Sequence, residues 1–140
     1  YKNSVGTGPC LTCPIGSTSA FASTQLINCK CKKGYTASSD GVECSVCATG
    51  KYKTNTGTGE CTTCPMGSTS AFASTQLINC KCKKGYSGTA DGIECIPCVV
   101  GQYKTNIGIG QCVMCPHGTS SASGSDGCQT LKCATVFYLT

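Results

Sequence analysis

The chain is predicted to fold as a small, disulfide-rich structure, mainly β and loop, built as an elongated tandem array of cysteine-rich repeats with short two-stranded hairpins. Three observations carry this. Cys10, Cys13, Cys29, Cys31, Cys44 and Cys47 recur 51 residues later as Cys61, Cys64, Cys80, Cys82, Cys95 and Cys98, and a third copy begins at Cys112 and Cys115. The segment Gly16 to Tyr35 returns unchanged as Gly67 to Tyr86. Finally, 16 cysteines stand beside only 3 Phe and no Trp in 140 residues, so the chain cannot fill a conventional apolar core. A bridge closing a loop of about 15 residues contributes roughly 3 kcal/mol in the chain-entropy model, and such crosslinks substitute for the missing burial. They require an oxidising compartment, hence an extracellular or cell-surface setting.

The repeat divides the chain into residues 1–47, which start in mid-unit, residues 48–98, and residues 99–140, which form a divergent and incomplete third copy. Tyr1-Lys2-Asn3 matches Tyr52-Lys53-Thr54 and Tyr103-Lys104-Thr105. That phase leads to the expectation of a portion of a longer polypeptide, or of a subunit completed by its neighbours. Gly6-Thr7-Gly8, Gly57-Thr58-Gly59 and Gly108-Ile109-Gly110 mark a turn before each Cys-x2-Cys. Gly34-Tyr35 and Gly85-Tyr86 open the first arm of a hairpin whose tip is Asp40-Gly41 or Asp91-Gly92, because Asp-Gly accepts the positive φ of a two-residue turn. No stretch sustains helical periodicity, and no apolar run approaches a membrane span, so no membrane insertion is expected of this segment. In the third copy Leu131 takes the place of Cys29 and Cys80, Cys128 lies three residues earlier, and Cys133 keeps the place of Cys31 and Cys82. The apolar run Ala134 to Leu139 reads as a strand, either the change-over to another domain or an edge that docks a neighbouring copy.

Cys44-x2-Cys47, Gly50-Lys51-Tyr52-Lys53, Cys61-x2-Cys64-Pro65-Met66-Gly67, Cys80-x-Cys82-x2-Lys84-Gly85-Tyr86 and a final Cys95 resemble the ephrin-receptor-like cysteine-rich module. That module is related to the cysteine-rich units of tumour-necrosis-factor receptors and to the tail of an EGF domain. The resemblance covers nearly the whole chain. It implies a pairing in series: Cys13 to Cys29, Cys31 to Cys44, Cys47 to Cys61, Cys64 to Cys80, Cys82 to Cys95 and Cys98 to Cys112. Under it Cys10 has no partner, and Cys115 chooses between Cys128 and Cys133. A crossed pairing of tumour-necrosis-factor-receptor type is the alternative.

Candidate chemistry is sparse. Cys44-x2-Cys47 with Cys61-x2-Cys64 has zinc-like spacing, but a zinc ribbon leaves the Cys-x-Cys pairs unexplained, and Asp40, Glu43, Asp91 and Glu94 are too few for calcium. No metal or cofactor is expected. His117 is the one imidazole and has neither nucleophile nor carboxylate pair beside it, so no enzyme is expected either. The formal charge of +5 comes from lysine alone, with Lys30, Lys32 and Lys33 repeated as Lys81, Lys83 and Lys84. Without Arg these clusters read as a solvated face or a contact for an acidic neighbour or polyanionic glycan, not for nucleic acid. Ser17, Thr18, Ser19, Ser23 and Thr24, with their copies Ser68, Thr69, Ser70, Ser74 and Thr75, lie in a loop read as too polar to be buried, and are candidate O-glycan acceptors; no Asn-x-Ser/Thr acceptor exists.

Two functions fit. One is a structural repeat of an extracellular filament, surface coat or cell-wall fibre, whose partners are neighbouring copies or further repeats. The other is the stalk or ligand-binding ectodomain of a receptor or adhesion protein. Near-identity of the repeats favours the first, since equal units present the same patch at equal intervals.

Overall fold

The computed structural model describes residues 1–39, 43–89 and 94–131. The Asp40-Gly41 and Asp91-Gly92 tips, Cys133 and the Ala134 to Leu139 tail lie outside the described residues. What is described is mostly loop, with fourteen short strands and two single turns of 3-10 helix. In chain order these are β1 (Ser17–Thr18), β2 (Lys30–Cys31), β3 (Tyr35–Ala37), β4 (Cys44–Val46), β5 (Lys51–Tyr52), β6 (Thr62–Thr63) and β7 (Ser68–Thr69). They continue as β8 (Lys81–Cys82), β9 (Tyr86–Gly88), β10 (Cys95–Pro97), β11 (Gln102–Tyr103), β12 (Val113–Met114), β13 (Thr119–Ser120) and β14 (Gln129–Thr130). Pairs β1/β2, β3/β4, β5/β6, β9/β10, β11/β12 and β13/β14 are antiparallel two-stranded ribbons. Strands this short are marginal alone, and each of these ribbons has a disulfide-bonded cysteine in or next to one of its two strands.

Among the described residues seven disulfides join Cys13–Cys29, Cys31–Cys44, Cys47–Cys61, Cys64–Cys80, Cys82–Cys95, Cys98–Cys112 and Cys115–Cys128. Each spans 13 to 16 residues, the loop length at which a bridge contributes about 3 kcal/mol. The choice open to Cys115 is taken by Cys128, and Cys10 is a free, exposed thiol. Among the described residues the buried apolar side chains are all cysteines: Cys31, Cys47, Cys64, Cys82 and Cys98. Sulfur occupies the place that Leu and Val fill in larger domains, which is why Phe21, Ile27, Phe72 and Ile78 are left exposed.

The chain forms two compact units. The first contains Tyr1–Pro65 and Thr69–Cys80, the second Met66–Ser68 and Lys81–Thr140. In the first unit the β3/β4 hairpin pairs Tyr35 with Val46, Thr36 with Ser45 and Ala37 with Cys44. Ser38 extends the ladder: its amide donates to the Glu43 carbonyl, and its hydroxyl accepts the Glu43 amide. Thr89 and Glu94 repeat this in the second unit. The role of Glu43 and Glu94 in these hairpins is carried by the backbone. Asn28 and Asn79 each accept, through Oδ1, the amide three residues back, Gln25 or Gln76, and so close the 3-10 turns Leu26–Asn28 and Leu77–Asn79.

Candidate functional site

Within each unit the hairpin of one repeat sits in a seat formed by the next. In the first unit the Gly34 amide donates to the Lys53 carbonyl at 3.0 Å, the Gly57 amide to Cys31 at 2.8 Å, and the Ala73 amide to Cys47 at 3.1 Å. The second unit repeats all three with Gly85 to Lys104 at 2.8 Å, Gly108 to Cys82 at 2.8 Å and Gly124 to Cys98 at 2.8 Å. Cys47–Cys61 and Cys98–Cys112 then bolt hairpin to seat. The approach is tight. A Cβ placed on Gly34 would run into the Ala73 carbonyl, and one on Gly85 into that of Gly124, while both glycines hold φ of 76°. Only glycine meets both demands.

A lysine sits at the centre of each joint. Lys53 is 5% exposed and Lys104 4%, and their ammonium groups are held by backbone carbonyls. Lys53 Nζ donates to Tyr35 and Gly57, each at 2.6 Å, so it ties the hairpin to the Gly-x-Gly turn of the seat. Lys104 Nζ donates to Asn106 at 2.7 Å, Gly108 at 2.8 Å and, more weakly, Lys83 at 3.4 Å. Desolvation lowers the pKa of both from 10.5. The sequence reading attended to the other lysines and missed these two. Their signal was present: an aromatic-Lys pair followed by Gly-x-Gly, at one phase of every repeat.

The remaining candidates are distributed rather than convergent. Lys30, Lys32, Lys33, Lys81, Lys83 and Lys84 are all exposed, and so is His117. Among the described residues no group of three or more His, Cys, Asp or Glu side chains is placed to hold a metal ion, and no helix is long and apolar enough to cross a membrane. The Ser/Thr loop departs from the hydrated surface expected of it. Ser17, Ser68, Ser70 and Ser74 are buried. Ser17 donates to Pro14, Ser70 to Lys51 and Ser74 to Ala71, so these hydroxyls serve the backbone in place of a glycan. Ser23, half-buried, donates to Ala20 in the same way. Thr18 and Thr24 are exposed, and Ser19, Thr69 and Thr75 half-buried.

The family described as tyrosine-protein kinase ephrin type A/B receptor-like matches the chain twice, over residues 34–80 and 81–129. The chain belongs to this family. Each match spans most of one hairpin, the seat that receives it and the Cys-x2-Cys between them. Similar proteins include Cysteine repeat modular protein A of Toxoplasma gondii, 34% identical over 83% of this chain and 4% of that protein. Human Ephrin type-B receptor 4 is 29% identical over 66% of this chain and 9% of the receptor. Signal peptide, CUB and EGF-like domain-containing protein 2 of Danio rerio is 29% identical over 66% of this chain and 10% of its own length. The chain thus spans a tenth or less of these relatives. Receptors and modular proteins with such repeats, together with seven disulfides, are consistent with an extracellular location and with a module that is typically not catalytic.

Proposed function

We propose that the chain is a non-catalytic structural segment of the ectodomain of a modular cell-surface protein, in which each repeat exists to hold the next. One observation carries this: the same joint of three backbone hydrogen bonds, a buried lysine and a disulfide recurs in both units on equivalent residues. Sequence resources that an enzyme spends on a pocket are spent here on the connection between repeats. The family relationship supports the same reading, since a receptor and a cysteine repeat modular protein are among the relatives. The exposed Lys30, Lys32 and Lys33 with their copies then offer contacts to an acidic neighbour or a polyanionic glycan.

The filament reading is a second form of the same role. It is favoured by the exposed Phe21, Leu26 and Ile27, which recur as Phe72, Leu77 and Ile78 and give equal repeats equal patches for lateral packing. Labelling of intact cells of the source organism with an antibody against the chain tests the shared core. Surface labelling that a mild external protease removes is the expected result, and labelling only after permeabilisation contradicts it. Negative-stain microscopy of the native material divides the two forms, with regular fibres favouring the filament and isolated modular particles the ectodomain.

A further inference from the structure

The first repeat carries a seat of the same construction with nothing in it. A cavity of about 970 Å³ is lined by Tyr1, Lys2, Gly6, Cys10, Phe21 and Ala22 among others. Each of these stands 51 residues before a residue of the occupied seat: Tyr52, Lys53, Gly57, Cys61, Phe72 and Ala73. In the second repeat the Gly57 and Ala73 amides and the Lys53 carbonyl are bonded to the hairpin. Among the described residues no backbone partner meets the Gly6 or Ala22 amide or the Lys2 carbonyl. Lys2 Nζ still reaches the Gly6 carbonyl, as Lys53 reaches Gly57. The seat backbone is already in its receiving conformation, with Ala22 at φ 60° against 58° at Ala73 and 74° at Gly124. A left-handed alanine is strained, and here the strain is held before any partner arrives. Phe21 is 102% exposed, whereas Phe72, beside an occupied seat, is 65% exposed. Cys10 is the free thiol at the position where Cys61 and Cys112 are bonded to an incoming hairpin.

We propose that this cavity is a docking seat for one further Gly-Tyr hairpin of the kind formed by β3 and β4, joined directly ahead of Tyr1 and bonded through its trailing cysteine to Cys10. The inference rests on the reading of the chain as repeats that hold one another. A hairpin in cis is the occupant because in the first unit only Cys47–Gly50 separates β4 from β5, a tether that keeps the effective concentration high. The charges also fit, since the Lys2 ammonium in the cavity needs a carbonyl of the kind that Tyr35 supplies to Lys53. Bond formation is a two-electron oxidation of two thiols to one disulfide, the electrons and the two protons passing to the disulfide of a thiol–disulfide exchange partner in the secretory pathway, which is reduced to its dithiol.

The test is a fusion that places a copy of residues 11–51 directly before Tyr1 of the full chain. Peptide mapping should find the copied Cys13–Cys29 and Cys31–Cys44 bonds, which certify that the graft has folded, and the copied Cys47 bonded to Cys10. Exchange of the Gly6 and Ala22 amides should slow by about tenfold or more relative to the parent chain. The same protection should persist in a Cys10→Ser fusion, and should vanish when Gly34→Val is made in the grafted copy. An alkylatable Cys10 with unchanged exchange overturns the inference. So does a Cys10–Cys10 link between two molecules, or protection that needs the bond. If the other bonds are intact in those cases, the proposed structural role stands while the seat does not.

Discussion

An ammonium group enclosed by carbonyl oxygens loses water and gains charge-assisted hydrogen bonds, and at Lys53 and Lys104 the loss dominates the protonation balance. Because burial lowers the folded-state pKa, the folded chain binds fewer protons than the unfolded chain between that lowered value and 10.5. Stability therefore rises with pH through that window and is least where both states are fully charged. Nitrogen-detected NMR of the lysine side chains should find both residues losing a proton below pH 10.5; titration at or above that value would contradict the account. Lys53→Met keeps the stem and removes the donors, leaving the Tyr35 and Gly57 carbonyls short of a partner. It should cost about 1–3 kcal/mol, against less than about 0.5 for Lys32→Met on the exposed face, read by hydrogen exchange at the Gly57 amide. These lysines were not legible as structural because a count of charges treats every lysine alike, and what distinguishes Lys53 is a carbonyl supplied 18 residues earlier in the chain. The buried serines escaped notice for a related reason. Polarity predicts water, but the hydroxyl of Ser17 finds a backbone acceptor three residues back and that of Ser70 one 19 residues back.

At the scale of the element, hairpins were legible and seats were not. Gly34-Tyr35 and the Cys-x2-Cys that follows give the arms of the β3/β4 ribbon, because alternating short strands and turn residues have a local signature. A seat has none. It gathers the Gly57 turn, the Lys53 carbonyl and the left-handed Ala73 from three places along the chain, and only repetition of all three betrays that they act together. Gly34 was read as the start of an arm; its fuller role is to let a carbonyl approach where any side chain would collide. Gly34→Val should therefore cost more than about 2 kcal/mol and lower the yield of chain with Cys47 bonded to Cys61, since it adds both strain and a clash. Gly8→Ala, with nothing within 4 Å of its new Cβ, should leave the yield unchanged. Equal yields of correctly oxidised protein from the two variants would contradict the joint as described.

At the scale of the whole molecule, order depends on covalent links more than on burial, because among the described residues the buried apolar side chains are cysteines in every case. Reduction with thiols blocked should abolish the slowly exchanging amides of Gly34, Gly57, Gly85 and Gly108, while a chelator should leave them intact; loss of structure on chelation alone would point to a metal in place of the bridges. The fold class was readable from composition and the 51-residue period, since a chain so poor in aromatic residues and so rich in cysteine has few other ways to fold. The connectivity was not readable from spacing, because cysteines at equal intervals admit serial and crossed schemes alike, and the difference lies in which loop each hairpin arm faces. Peptide mass spectrometry of the oxidised, non-reduced chain tests the central claim most directly. The account predicts serial links alone, Cys13–Cys29, Cys31–Cys44 and Cys47–Cys61 with their copies Cys64–Cys80, Cys82–Cys95 and Cys98–Cys112, then Cys115–Cys128, and an alkylatable Cys10. A crossed link, such as Cys13 to Cys31 or Cys29 to Cys44, would contradict it.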